Sequence, residues 1–158
     1  MPLEWDLCGT VETATGTGGL TLTADRVRPD LGTYDLVFVP GGFGTRRLVD
    51  DEAAIDWLRT AAGCDWKTSV CTGSLLLGAA GFLDGKRATT HPNAMETLDA
   101  YCDVVDDRVV EDGDVVTGRG VSSSIDLGLY LVEILADADT RRAIAEQMDY
   151  PYGSAVFA

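Results

Sequence analysis

The chain has 158 residues, 46% of them hydrophobic, a size that fits one domain with a substantial core. Twelve Lys and Arg against 26 Asp and Glu give a formal charge of −14, which argues against nucleic acid or an anionic membrane as a direct partner. Only Lys67 and Lys86 are lysines, and an acidic, lysine-poor surface is expected of a protein working in concentrated salt, where ions screen self-repulsion. With no apolar run of about 20 residues and no basic-then-apolar leader, a cytoplasmic protein is expected. Cys8, Cys64, Cys71 and Cys102 are scattered without a CxxC pair, so free thiols are expected, as in a reducing compartment. The single histidine, His91, has no ligand-like spacing to any of them, and no metal site is expected.

In chain order, Leu3 to Cys8 and Leu20 to Thr23 read as short strands around a Gly/Thr-rich turn. Tyr34 to Gly42, "YDLVFVPGG", is continuously apolar before its Pro-Gly-Gly and predicts a strand buried on both faces. "DDEAAIDWLRTAAG" (50–63) predicts a helix with acids in its first turn and Gly63 past its end. A strand from Lys67 to Cys71 runs straight into a helix from about Thr72 to Ala80. A turn and short strand end near His91, and "PNAMETLDAYC" (92–102) predicts a helix with Pro92 near its start. Two β-rich runs flank Asp112-Gly113, a hairpin signal. A long apolar helix, "SSIDLGLYLVEILADAD" (123–139), is expected to be capped by Ser122 or Ser123, with a short helix from Asp139 to Met148 after it. Asp103 to Asp114 reads as a solvated acidic face, and Trp5, Trp57 and Trp66 as core or interface packing. Strands alternating with helices predict an α/β fold with a mostly parallel sheet covered on both faces.

In such sheets ligands sit at the carboxyl ends of strands. Pro40-Gly41-Gly42 and Cys71 both stand there. A thiol at a strand-to-helix turn meets the unpaired N–H groups and positive dipole end of the helix, which favour the thiolate. Small residues follow it, Thr72-Gly73-Ser74, in the manner of a nucleophile elbow. The alternative is a small buried cysteine that only packs. As a nucleophile attacking a carbonyl-like carbon, Cys71 needs donors where negative charge develops; the backbone N–H groups of Thr72 and Gly42 are placed to supply them. Gly41-Gly42 also reads as a plain tight turn. His91 is a candidate general base or a residue that orients the pocket. Cys8, Cys64 and Cys102 read as structural.

The stretches "VFVPGGFG", "TSVCTGSLLLGAAGFLDGKRATTHP" and "VVTGRGVSSSIDLGLYLVE" resemble the ThiJ/PfpI superfamily, with its class I glutamine-amidotransferase-like, flavodoxin-like three-layer sandwich. The nearest branch is that of isonitrile hydratases and the sensor domains of AraC-type regulators. The resemblance covers roughly residues 3 to 150. It implies Cys71 as nucleophile, Thr72 and Gly42 as backbone donors and His91 in the pocket wall, with Gly41, Phe43, Gly73 and Ser122 lining a small-molecule site. It implies a homodimer with no metal or organic cofactor. The expected activity is hydration of an isonitrile carbon. The alternatives are a non-catalytic or redox-sensing protein with an oxidisable Cys71, and a glyoxalase-, deglycase- or peptidase-like member. The family opens with a strand and a turn bearing an Asp or Glu that hydrogen-bonds the cysteine. No residue here matches that acid, and the chain is expected to lack that strand; Glu4, Asp6 and Glu12 are the candidate substitutes. No helix-turn-helix follows Ala158, so a complete AraC-type regulator is not expected.

Overall fold

The structure, a computed structural model, describes residues 3–152. Its amino-terminal part holds four short strands. β1 (Cys8–Gly9) pairs in parallel with β4 (Arg26–Val27), and β2 (Thr13–Thr15) pairs antiparallel with β3 (Thr21–Thr23). The strand expected over Leu3 to Cys8 is therefore reduced to its last residue. Leu3 and Trp5 are 70% and 75% exposed, so nothing among the described residues covers that stretch, and the Leu7 backbone is tied to Asp25 instead. Trp5 thus lies outside the core, whereas Trp57 and Trp66 pack against it.

The central sheet follows. β5 (Leu36–Val39) leads through α1 (Thr45–Leu48) and α2 (Glu52–Arg59) to β6 (Trp66–Val70). Asp51 caps α2 by accepting from the Ala54 N–H at 3.1 Å. α3 (Gly73–Ala79), β7 (Arg87–Ala88), α4 (Met95–Leu98) and β8 (Asp103–Val104) come next, then the hairpin of β9 (Val109–Asp112) and β10 (Val115–Gly118). α5 (Ser123–Leu135) and α6 (Ala138–Gln147) close the described chain. The sheet order is β5-β6-β10-β9, with β5, β6 and β10 parallel and β9 antiparallel. One core, with Val37, Leu58, Leu75, Leu77 and Leu83, lies on the α2–α3 side. A second, with Val70, Val116, Leu127 and Leu131, lies under α5. Helices thus cover both faces, as the alternation of elements predicts. Among the described residues no helix is long and apolar enough to cross a membrane.

Several local expectations change. β5 is not buried on both faces: among the described residues it carries a ladder on one edge only, and Phe38 is 44% exposed. A largely apolar crevice of about 500 Å³ lies along it, walled by Leu36 to Val39 on one side and by Leu7, Cys8, Val11 and Leu22 on the other. The helix expected over 92–102 breaks into a 3-10 turn at Pro92–Ala94 and the single turn of α4. Beyond α4, Tyr101 lies against α3, where its ring occupies the place a Gly78 side chain would take. The hairpin turn sits one residue later than expected, at Gly113-Asp114, with Gly113 at φ 65°. Asp112 stays in the ladder, where its carboxylate accepts the Arg87 N–H at 2.9 Å. Ser122 occupies the cap position of α5, but neither it nor Ser123 caps through its side chain. α5 ends early because Asp137 starts α6, accepting from the Thr140 N–H at 2.6 Å.

The acidic stretch 103–114 is only partly a solvated face. Asp114 accepts from both lysines of the chain, from Lys67 at 2.8 Å and from Lys86 at 3.1 Å. Lys67 is 3% exposed. Its ammonium also donates to the Cys64 carbonyl at 2.6 Å and lies 5.8 Å from the centre of the Phe82 ring. Burial would raise the Asp114 pKa, but the bonds from Lys67 and Lys86 outweigh it and hold the carboxyl below its ordinary value.

Candidate active site

Cys71 is the first residue past β6 and lies in the left-handed region at φ 55°. That conformation costs a non-glycine residue about 1 kcal/mol or more. It is held from both sides. The Cys71 N–H donates to the carbonyls of Gly118 and Arg119, both at 2.9 Å. The Cys71 carbonyl accepts from Thr90 Oγ1 at 2.9 Å and from Ser74 Oγ at 3.1 Å. This is the sharp strand-to-helix turn of a nucleophile elbow, in which the side chain projects away from the sheet end.

Two glycines let the neighbouring strand end close on it. A Cβ on Gly41 would stand 2.7 Å from Cys71 Cβ and 3.0 Å from its Sγ. A Cβ on Gly73 would stand 2.2 Å from the Val39 carbonyl oxygen. Gly73 therefore packs under the end of β5, and its bareness serves that approach. Thr72 sits at the cap position of α3 but does not cap it. Its buried hydroxyl turns to Gly42, accepting from the N–H at 3.0 Å and donating to the carbonyl at 3.1 Å. The Gly42 N–H is thus held by Thr72 in this state. Gly42 itself lies at φ 143° with open space where a side chain would be. Phe43 is 80% exposed beside it.

His91 directly follows Thr90, and its ring lies beside Gly120. Nδ1 accepts the Asn93 N–H at 3.2 Å, which puts the proton of a neutral ring on Nε2 and leaves no lone pair free there to take a proton. That geometry suits a residue that orients the pocket better than a base. Ser122 is exposed, and its Oγ accepts from Arg108 Nη2 at 3.3 Å.

Among the described residues no carboxylate hydrogen-bonds Cys71 Sγ. Asp6 accepts instead from the Tyr34 hydroxyl at 2.7 Å and pairs with Arg26 at 3.3 Å, while Glu4 and Glu12 are exposed. That contact with Asp6, then the one with Cys8, holds the Tyr34 phenol above its usual pKa. Two of the other thiols are set by their burial. Burial pushes Cys64 up, and its Sγ donates to the Leu31 carbonyl at 2.9 Å. Burial, with Asp103 and Asp99, pushes Cys102 up to about 11. No group of three His, Cys, Asp or Glu among the described residues could hold a metal ion.

Sequence reasoning missed what fixes the elbow's other wall. The loop 119–122 follows β10 and is anchored by Arg108, whose carbonyl accepts the Arg119 N–H at 2.9 Å. The Arg108 guanidinium binds Asp126, which is fully buried and also accepts from Tyr150 at 2.6 Å. The one legible signal was an Asp inside the apolar run of α5.

Comparison with known proteins agrees with this geometry. The sequence model of the DJ-1/PfpI family matches residues 7–134. The chain is 44% identical over 140 residues to the isonitrile hydratase of Pseudomonas putida, covering 86% of this chain and 60% of that protein. It is 35% identical over 127 residues to the HTH-type transcriptional regulator CdhR of Pseudomonas aeruginosa, covering 72% of this chain and 35% of the regulator. The crystal structure of a ThiJ/PfpI family protein from Pseudomonas syringae superposes with a TM-score of 0.84 at 30% identity, over 92% of this chain and 62% of that one. The chain thus spans about three-fifths of the length of the hydratase and of the crystallised relative. With the elbow, the Pro-Gly-Gly turn and the sheet order all in place, the chain belongs to the DJ-1/PfpI family.

Proposed function

We propose that the protein is a cysteine-dependent hydratase that converts an isonitrile to an N-substituted formamide. The observation that carries this is the left-handed Cys71 at the elbow, in a chain 44% identical to an isonitrile hydratase. The Cys71 thiolate adds to the terminal carbon while water gives that carbon a proton, forming a thioimidate. The hydroxide left behind attacks the same carbon, the C–S bond breaks, and a proton moves from oxygen to nitrogen. One water is consumed and the thiolate returns. The N–H of Thr72, and that of Gly42 once the Thr72 hydroxyl turns away, stabilise the charge that develops. His91 and Phe43 wall the pocket.

Proton NMR of the purified protein with an alkyl isonitrile checks this. A formyl signal is expected with the wild type, and its loss in Cys71→Ala. Formamide production that survives in the variant would sink the reading.

A second reading has its own support in the lack of a carboxylate beside Sγ among the described residues. Cys71 then serves as an oxidisable sensor, its thiolate taking two oxygens from peroxide to become a sulfinate. Intact-mass analysis after mild peroxide distinguishes it: a gain of two oxygens confined to Cys71 supports sensing, and an unmodified Cys71 argues against it.

A further inference from the structure

Arg46 and Arg47 lie on α1, which follows the Gly41–Gly44 turn, whose first residue closes on Cys71. Both are exposed, and neither guanidinium has an ion pair or hydrogen bond among the described residues. Their situation differs from that of the other cations. Every other described Lys and Arg side chain contacts a carboxylate or a carbonyl oxygen. The acids nearest in sequence leave the pair free: Asp51 caps α2, and Asp50 and Glu52 make no bond to either arginine. In a chain with a formal charge of −14, the two unneutralised cations thus occupy consecutive positions of α1, the first helix after the carboxyl end of β5. α1 also packs against α3, the helix that follows Cys71.

An otherwise acidic surface repels an anion, and two unneutralised cations on the element that follows the Pro-Gly-Gly turn offset that repulsion locally. Guanidinium groups also fit carboxylates with two parallel hydrogen bonds. We propose that the Cys71 site takes an electrophile bearing a carboxylate, drawn in and held by Arg46 and Arg47. This rests on the reading of Cys71 as a presented nucleophile but not on isonitrile turnover.

The test compares alkylation of Cys71 by iodoacetate, an anion, and iodoacetamide, its neutral counterpart, with mass-spectrometric site readout. In about 0.1 M salt, Arg46→Gln/Arg47→Gln should lower the iodoacetate-to-iodoacetamide rate ratio on the order of fivefold. The iodoacetamide rate itself should hold. The difference should shrink in about 1 M salt, and Arg142→Gln, on remote α6, should leave the ratio near the wild-type value. A ratio unmoved by the double variant, or moved equally by Arg142→Gln, overturns the proposal and leaves the nucleophile reading standing. A Cys71 that neither reagent modifies overturns both.

Discussion

At the amino end of β6 the Lys67 ammonium is buried and fully bonded, to Asp114 and to backbone carbonyls, and a second lysine shares the same carboxylate. At the carboxyl end of the same strand Cys71 sits in a strained backbone conformation with no hydrogen bond to its thiol among the described residues. Three residues of strand, Thr68 to Val70, separate a pole built for rigidity from a pole built for reaction. The difference shows how the sheet divides its labour. Charge satisfaction fixes one end, and the other holds a left-handed residue on two backbone hydrogen bonds, two from side-chain hydroxyls, and two bare glycines.

The contrast can be broken most severely at Gly73. Gly73→Ala places a Cβ 2.2 Å from a backbone oxygen that cannot rotate away, and a loss of about 3 kcal/mol or more in urea unfolding is expected. At the opposite pole, Asp114→Asn leaves the buried Lys67 ammonium without its counter-charge. Because Asp114 is half exposed and water can reach it, the expected loss is about 2 kcal/mol rather than that of a fully buried pair. The pH dependence sharpens this. The Asp114 pKa is depressed in the folded state, so its contribution is present above the ordinary carboxylate pKa of about 4 and disappears as pH falls through the lower folded value. Acid unfolding of Asp114→Asn should lack that component. Thr72→Val removes both hydrogen bonds to Gly42 and should cost about 1 to 2 kcal/mol. Thr72→Ser should recover most of it, as thermal melts will show. The smallest effect has the opposite sign. Cys71→Gly relieves the φ 55° strain and should raise stability by about 1 kcal/mol, a melting shift of about 2 to 4 °C, while abolishing turnover. A melting point that falls would mean the thiol packs rather than strains.

Much of the reactive pole was legible because its signals are local. "VPGG" and "SVCTGS" mark two strand ends by composition alone, and the apolar run after Cys71 announces α3. The rigid pole was not. Lys67 and Asp114 are 47 residues apart, and in sequence each looks like an ordinary surface charge. The lysine scarcity was read as a property of the surface, when Lys67 lies inside. For Trp5, read as core or interface packing, the core half fails, since an aromatic residue in a β-like run carries no mark of whether its own chain will cover it. The Thr72 hydroxyl was overlooked for the same reason as the ion cluster. Its partner, Gly42, belongs to a different turn, and only the closing of two strand ends makes them neighbours.

The placement of the lysines also turns the protein into its own clock. Lys67 is buried beneath Asp114, so an acylating reagent can reach its amine only when the β6–β10 pole opens. The rate at which that single site is acylated would therefore count openings of the fold, residue-specifically and without any probe being added to the chain.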